Sequence, residues 1–242
     1  MRVFVQCGSD GLPQSYNFFI AYKGFEEMGF EMIRFHTYDE LKQSNPEDII
    51  VGYVDTVRKR LLDFGITAPE MDYPPELEKY LGRKIWKSKI DTINSNPELW
   101  PVFVKPVEDK KFTGVVVRSP KDLIGCGSWY DNADVLCSEV VDFAAEWRCF
   151  VRYGRILDIR RYKGNWRLHF DPHVVENAVS DYVSAPAGYA IDFGLTSEGK
   201  TLLLEVNDGY ALGHYGLFYI DYAKLLSARW AELTNTEDEC NF

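Results

Sequence analysis

Two carboxylates and a carboxamide share the stretch AIDFGLTSEGKTLLLEVNDG, residues 190–209. Two runs of strand-forming residues flank a Ser-Glu-Gly turn, which is typical of a β-hairpin. A two-residue turn at residues 198–199 places Asp192 directly opposite Glu205, with Asn207 on the same face two residues further along. Like charges in directly opposite positions destabilise a sheet, whereas a cluster of oxygen ligands suits Mg²⁺. The hairpin therefore predicts a magnesium site; the alternative is that one carboxylate pairs with a lysine or an arginine.

Basic residues upstream could supply contacts to phosphate. In FVKP, Lys105 ends an apolar strand, and a lysine in such a run either extends to solvent or meets an anion. The following loop, VEDKKFTGVVV, closes with Thr113 and Gly114, where glycine lets backbone N–H groups approach phosphate. An ordinary hairpin loop is the alternative interpretation of this stretch.

A second basic element is EWRCFVRYGRILDIRRYKGN, residues 146–165, which predicts a hairpin about a turn at residues 153–154. In that register Glu146 lies opposite Arg161. Arg148 and Lys163 lie on the same face of the sheet as this pair, whereas Arg160 points to the other face. A different register exchanges the positions of Arg160 and Arg161. Several cations on one sheet face are costly unless anions meet them, and arginine grips phosphate or carboxylate in a bidentate manner. A solvated basic face is the alternative, and it is the expectation for Arg152 and Arg155.

These elements lie in a chain with two predicted parts. A strand–helix–strand–helix pattern (2–6, 15–29, 31–36 and 55–64) predicts a small α/β domain, and a Pro-rich linker follows at 68–83. Later strands are mostly antiparallel, and a final helix is expected over 217–233. The predicted division is 1–83 for the small α/β domain, 84–235 for a larger α+β domain and 236–242 for a solvated acidic tail.

The composition is that of a soluble globular protein, with 46% hydrophobic and 26% charged residues. The net charge of −10 argues against non-specific nucleic-acid binding, and no apolar run approaches the ~20 residues of a membrane span. Five cysteines without a C-x-x-C pair favour free thiols in a reducing cytoplasm, with Cys137 and Cys149 as small buried apolar residues. Oligomerisation is left open.

The ordered set of FVKP, a Thr-Gly loop, CSEVV, EWRCFV, RRYKG, AIDFGL and LLLEVNDG resembles the ATP-grasp superfamily. It is most similar to the small group of ATP-grasp domains called the R2K clade, over roughly residues 84–233. The resemblance implies an α+β ATP-grasp fold, in which two α+β subdomains grip ATP, preceded by the small α/β domain.

The resemblance also implies roles for individual residues. Lys105 and either Lys87 or Lys89 would bind ATP phosphates, and a lid loop would cover them. Arg148, Arg160 or Arg161, and Lys163 would act on the γ-phosphate and the acyl substrate. The lid residues would be Lys111, Thr113 and Gly114. The adenine hinge would be Ser138, Glu139, Val140 and Val141, with backbone groups of Glu139 and Val141 facing the base, and Glu146 would contact the ribose or a substrate amine. One or two Mg²⁺ ions would be bound by Asp192, Glu205 and Asn207. His214 and Tyr215 border the expected acceptor site.

The function that the resemblance implies is an ATP-dependent carboxylate–amine ligase of the peptide type, working through an acylphosphate. Its partners would be ATP, Mg²⁺ and a small-molecule or peptide carboxylate and amine. The alternatives are an ATP-grasp kinase that stops at phosphoryl transfer and a non-catalytic ATP-binding module. The sequence contains no Walker-type or G-x-G-x-x-G motif that would indicate a P-loop or dinucleotide-binding protein.

Overall fold

A computed structural model describes residues 2–107, 111–126 and 131–242 of the chain. Two compact units are present: a larger unit of Met1–Tyr80 and Phe143–Phe242, and a smaller unit of Leu81–Asp142. No helix within the described ranges is both long enough and apolar enough to cross a membrane.

Strands and helices alternate at the start of the chain, and antiparallel strands dominate later. The strands are β1 (Arg2–Gln6), β2 (Glu31–Phe35), β3 (Ile49–Val51), β4 (Ile85–Lys89), β5 (Val102–Pro106), β6 (Val115–Val117), β7 (Asp134–Glu139), β8 (Phe143–Arg152), β9 (Arg155–Gly164), β10 (Gly188–Thr196) and β11 (Thr201–Asp208). The α-helices are α1 (Tyr16–Glu27), α2 (Tyr38–Leu41), α3 (Val54–Asp63), α4 (Ile90–Ser95), α5 (Pro172–Asp181) and α6 (Tyr219–Thr234).

The larger unit contains two sheets. The first is parallel, in the order β2-β1-β3, and the second is antiparallel, in the order β11-β10-β8-β9. Helix α1 begins where the Ser15 hydroxyl accepts a hydrogen bond from the N–H of Phe18, an N-cap that its sequence position favours. The predicted α/β pattern at the start of the chain is therefore present, with β3 and α2 in addition.

The front α/β section shares its core with the end of the chain. One hydrophobic cluster contains Phe4 and Phe25 together with Phe150, Ala190 and Trp230. Helices α1 and α6 approach so closely that a Cβ on Gly24, in α1, would lie 2.3 Å from a backbone oxygen of α6. The structure thus divides the chain differently from the predicted boundary at residue 83, because residues 1–80 bury their apolar faces against helices and strands distant in sequence.

The end of the chain, which was expected to be a solvated tail, is partly buried. The Cys240 side chain is completely buried. The Asp238 carboxylate accepts hydrogen bonds from Arg152 at 2.7 Å, from the Tyr153 hydroxyl at 2.9 Å and from the Ser227 hydroxyl at 2.6 Å. Partners from β8 and α6 therefore order the end of the chain despite its acidic composition.

The smaller unit is a four-stranded antiparallel sheet in the order β4-β7-β5-β6. One of its faces packs with α4 in a cluster that includes Ile93, Val104 and Cys137. All five cysteines of the chain are buried free thiols, in agreement with the interpretation of Cys137 and Cys149. Burial raises the pKa of the Cys137 thiol to about 11, so it stays protonated at neutral pH.

Candidate active site

A β-bulge positions the two carboxylates of the β10–β11 hairpin. Near the turn, Thr196 N–H donates to the Lys200 carbonyl at 2.9 Å, so the loop has three residues rather than the predicted two. Strand β11 then accommodates one extra residue, Leu204, and the register shifts so that Asp192 pairs with Glu205. Without this shift, Glu205 would point to the opposite face of the sheet. The predicted pairing of Asp192 with Glu205 is confirmed, and the bulge is the reason.

Asp192 forms a buried ion pair with Arg148 on the neighbouring strand. The Asp192 and Arg148 side chains are only 2% and 6% exposed, respectively. Arg148 Nε donates to Asp192 Oδ1 at 2.7 Å and Nη2 donates to Oδ2 at 2.7 Å, a bidentate arrangement. Burial raises the pKa of the Asp192 carboxyl, and the two N–H donors of Arg148 act in the opposite direction. The alternative in which one hairpin carboxylate pairs with a basic residue thus applies to Asp192.

Two stacked tyrosines lie beside the Arg148–Asp192 pair. The guanidinium carbon lies 4.7 Å from the centroid of the Tyr215 ring, and that ring stacks on Tyr162 with a centroid separation of 4.8 Å. The Tyr162 hydroxyl donates to Asp192 Oδ2 at 3.4 Å, and Arg148 Nη1 donates to the Gly213 carbonyl at 3.4 Å. Strands β8, β9 and β10 and the loop after β11 therefore meet in one connected network. Tyr162 was not among the predicted site residues.

Glu205 and Asn207 border this network on β11. Asn207 Nδ2 donates to Glu205 Oε1 at 3.4 Å, and both side chains are half-buried. The charge of Glu205 is near enough to raise the pKa of both Arg148 and Asp192, although burial is the larger influence on each. Within the described ranges, no group of three or more His, Cys, Asp or Glu side chains is arranged to hold a metal ion. Glu205 and Asn207 carry oxygen donors of the kind that Mg²⁺ binds.

The cations of the β8–β9 hairpin divide between the two faces of the sheet. The turn is at residues 153–154, as predicted, but two bulges shift the register so that Arg148 pairs with Arg160 and Glu146 pairs with Lys163. Arg161 pairs with Trp147 instead, and its Nη1 donates to the Gly164 carbonyl at 3.0 Å. The predicted placement of Arg161 opposite Glu146 is wrong, because a two-residue turn does not determine register beyond a bulge. The exchanged assignment, with Arg160 on the Arg148 face, is the one observed.

Arg160 and Lys163, which share the Arg148 face of the β8–β9 hairpin, each have a carboxylate partner. Lys163 Nζ lies 2.6 Å from Glu146 Oε1, and Arg160 Nη2 lies 2.5 Å from Asp158 Oδ2. Both basic side chains are partly exposed to solvent, whereas the Arg148 guanidinium is not. The buried Nε of Arg160 has no hydrogen-bond partner among the residues that the structure describes. Arg160 and Lys163 are thus the two cations of this face that solvent reaches.

In the smaller unit, two lysines lie on either side of Leu136. Lys87 on β4 and Lys105 on β5 both pair with Leu136 on the central strand β7. Directly paired residues point to the same face, so the two lysines share a face, with Cα atoms about 10 Å apart across two strand spacings. Lys89 instead forms an ion pair with Asp134 at 3.0 Å. This register favours Lys87 over Lys89 as the companion of Lys105.

The same face carries apolar side chains and one close loop contact. Ile85 and Phe103 pair with Ser138, which lies two residues beyond Leu136 on β7. A Cβ on Gly114 would lie 2.6 Å from the Phe103 ring, so the absence of a side chain allows the loop to rest on β5. Lys111 forms an ion pair with Asp131 at 2.5 Å. Residues 108–110, in the middle of the predicted lid loop, lie outside the described residues.

The predicted adenine hinge follows β7. The Glu139 N–H donates to the Lys84 carbonyl at 3.1 Å, and its carboxylate accepts from the Lys84 N–H at 2.8 Å. The Ser138 hydroxyl donates to the Glu139 carbonyl at 3.0 Å. These contacts bind both backbone groups of Glu139 within the smaller unit. The adenine contacts expected for Glu139 and Val141 stay predictions.

His214 lies beside the Arg148 network, in the loop after β11. Its Nδ1 accepts a hydrogen bond from the Gly216 N–H at 2.9 Å, so the neutral ring carries its proton on Nε2. The ring contacts Tyr16 and Tyr222, with centroid separations of 5.1 and 5.8 Å. Burial lowers the pKa of His214. The residue is a buried structural histidine that shapes the turn leading to Tyr215.

Solved structures with the same arrangement of elements define the fold. The D-alanine–D-alanine ligase from Bacillus anthracis complexed with ATP matches with a TM-score of 0.60 and 14% identity, over 98% of this chain and 99% of that one. The L-amino acid ligase from Bacillus licheniformis gives a TM-score of 0.59 and 12% identity, over 96% of this chain and 75% of that one. The N5-carboxyaminoimidazole synthetase from Staphylococcus aureus gives a TM-score of 0.57 and 10% identity, over 98% of this chain and 77% of that one. At such identities the likeness shows the fold alone, and it is the ATP-grasp fold.

The amino-acid sequence shows which family the chain belongs to. The family described as ATP-grasp domain, R2K clade family 2, matches residues 80–225, which is more than half of the chain. The chain belongs to this family, and the predicted superfamily and α+β fold class are confirmed. No curated protein has a significant sequence match to the chain.

Proposed function

We propose that this chain is an ATP-dependent carboxylate–amine ligase that activates a small-molecule or peptide carboxylate as an acylphosphate. The observation that carries the proposal is the pair of lysines, Lys87 and Lys105, on either side of Leu136 in an ATP-grasp domain. Two cations on one face of a sheet can both contact a polyanion that lies over that face. The likeness to three ligase structures supports this reaction class over other uses of ATP.

In this proposal the smaller unit binds the nucleotide. Lys105 and Lys87 contact the phosphates, while Ile85 and Phe103 on the same face offer apolar surface to the adenine ring. The loop that contains Lys111, Thr113 and Gly114 covers the phosphates, and its contact with Phe103 keeps it close to the sheet. Hydrogen bonds to charged groups contribute about 1.5–3 kcal/mol each, so each lysine is worth roughly 10- to 150-fold in ATP affinity.

In the larger unit, Glu205 and Asn207 are proposed to hold Mg²⁺. A carboxylate and an amide oxygen, completed by water and phosphate oxygens, form a typical magnesium environment. Mg²⁺ bound there would neutralise charge on the ATP phosphates. Asp192 is the third predicted ligand, but Arg148 already binds both of its oxygens.

The proposed chemistry has two balanced steps. A carboxylate oxygen of the substrate attacks the γ-phosphorus of ATP, and ADP leaves with the electrons of the broken P–O bond. The amine nitrogen then attacks the acyl carbon, phosphate leaves and the amine loses a proton. Arg160 and Lys163, the solvent-reachable cations of their face, stabilise the charge on the transferring phosphoryl group and the acyl oxygen. Glu146, paired with Lys163, is the candidate contact for the amine.

The test is ADP release, followed continuously with a coupled assay over paired carboxylate and amine substrates. A ligase releases ADP and phosphate only when both substrates are present, and mass spectrometry detects the condensed product. A stable phosphorylated product that forms without amine would instead identify a kinase. ATP binding without turnover on any pair would identify a binding module and would overturn the proposal.

A further inference from the structure

Tyr215 has a backbone conformation that bulky residues rarely adopt. Its φ is +40°, and the next residue, Gly216, has a φ of +89°. The Leu217 N–H donates to the His214 carbonyl at 2.7 Å, so these four residues form a tight turn. Glycine and asparagine are the usual residues at such positions, because a larger side chain is strained there. The requirements of the turn therefore do not explain a tyrosine at position 215.

The turn is held in place on both sides of Tyr215. Before it, the His214 N–H donates to Asn17 Oδ1 on α1 at 3.2 Å. After it, the Leu217 side chain is buried in the hydrophobic core of the larger unit. The Tyr215 ring is thus fixed before any ligand binds, and a preorganised contact surface loses little conformational entropy on binding.

One side of the Tyr215 ring lies over the β11-β10-β8-β9 sheet. Its two neighbours, Arg148 and Tyr162, both donate hydrogen bonds to Asp192, so they lie on one face of this sheet. Tyr215 nevertheless remains 46% exposed. Since both neighbours belong to the sheet, the exposed part of the ring faces away from it. A rigid aromatic surface is therefore open to a ligand beside the Arg148–Asp192 pair.

The open ring lies near the proposed contact for the amine substrate. Burial, followed by the charges of Asp192 and Glu146, raises the pKa of Tyr162, which places Glu146 beside the ring on which Tyr215 stacks. An amine bound at Glu146 would thus direct its side chain toward Tyr215. Resting on the proposed function, we infer that Tyr215 selects the amine substrate, by contact with a side chain that is aromatic. Aromatic pairs gain free energy beyond the burial of their area, which favours this class of side chain.

The experiment compares two amines that differ only in the side chain, phenylalaninamide and alaninamide. Each is titrated by calorimetry into protein saturated with Mg²⁺ and a non-hydrolysable ATP analogue. Tyr215→Asn removes the ring with a residue that tolerates positive φ, and Tyr215→Phe keeps the ring. Tyr153→Asn is the matched control, because Tyr153 has a φ of +49° and is 49% exposed, but lies in the β8–β9 turn.

We expect the wild type to bind phenylalaninamide at least about 10-fold more tightly than alaninamide, the upper part of what an aromatic pair contributes. Tyr215→Asn should weaken phenylalaninamide binding about 10-fold and alaninamide binding less than about threefold, so the preference is lost. Tyr215→Phe and Tyr153→Asn should keep both affinities within about threefold of the wild type.

Three results overturn the inference while the proposed function stands. The first is that the wild type, with the analogue bound, binds both amides equally or binds neither. The second is that Tyr215→Asn weakens both amides equally, or that Tyr153→Asn loses as much as Tyr215→Asn. The third is a preference for 3-phenylpropionate over propionate with none between the amides, which would place the ring beside the carboxylate substrate. Failure of the wild type to bind the analogue with Mg²⁺ present overturns the proposed function and the inference together.

Discussion

Replacing Arg148 with methionine leaves the Asp192 carboxylate without its ion-pair partner at a position where the side chain is only 2% exposed. Loss of one partner of a buried ion pair costs about 3–5 kcal/mol, a large part of the roughly 5–15 kcal/mol that stabilises a typical domain. The double variant Arg148→Met/Asp192→Leu removes both charges, and apolar replacement of a buried pair is often neutral or stabilising by about 1–4 kcal/mol. We therefore expect the second substitution to recover most of the stability that the first one loses.

The assay is urea unfolding of the wild type, both single variants and the double variant, followed by circular dichroism. The pH dependence adds an independent signature. In Arg148→Met, burial raises the pKa of Asp192 with no guanidinium to oppose it, so the folded state binds the proton more tightly than the unfolded state. The stability deficit relative to the wild type should then shrink as the pH is lowered from 7 to 5, by at most about 1.4 kcal/mol per pH unit. A deficit below about 1 kcal/mol at pH 7, or single-variant costs that simply add in the double variant, would refute the reasoning.

Two further predictions concern buried polar contacts. Burial lowers the pKa of His214, so its contribution to stability is fully present above about pH 6.5 and falls as the pH drops below that value. In His214→Asn, the Oδ1 atom can still accept a hydrogen bond from the Gly216 N–H, so the variant should lose only this part of the pH dependence in thermal melts. Identical pH profiles for the wild type and the variant would contradict the prediction. Asp238→Ala leaves Arg152 without its carboxylate partner and should cost about 3–5 kcal/mol in urea unfolding, whereas the exposed neighbour Glu237→Ala should change stability by less than about 0.5 kcal/mol. Equal effects of these two alanine variants would show that the end of the chain is not ordered through Asp238.

Local patterns predicted much of the fold. Alternating apolar residues around short turns located the β8–β9 and β10–β11 hairpins, and the helices over 15–29, 55–64 and 217–233 correspond to α1, α3 and α6. Helix α5 was not predicted, although Asp171-Pro172 is a helix-start signal that the structure uses, with the Asp171 carboxylate accepting from the His173 N–H.

The misplaced features depend on long-range packing. Residues 1–80 group with residues 143–242, a division that the boundary at residue 83 did not anticipate, because α1 packs on α6, which lies about 200 residues later in the chain. The bulges that exchange Arg160 and Arg161 lie within the pairing of β8 with β9, and no turn signal in the sequence indicates them. The Arg148–Asp192 pair joins residues 44 positions apart, so the types of both residues were visible in the sequence but their contact was not.

The most direct measurement of the central claim is calorimetric titration of the Mg²⁺-bound ATP analogue into the wild type and three lysine variants. The account predicts that Lys105→Ala and Lys87→Ala each weaken binding roughly 10- to 150-fold, the equivalent of about 1.5–3 kcal/mol. Lys89→Ala is the matched control, because Lys89 lies on the same strand as Lys87 but pairs with Asp134, and its loss should change affinity by less than about threefold. Equal binding by the wild type and Lys105→Ala, or a larger loss in Lys89→Ala than in Lys87→Ala, would contradict the account.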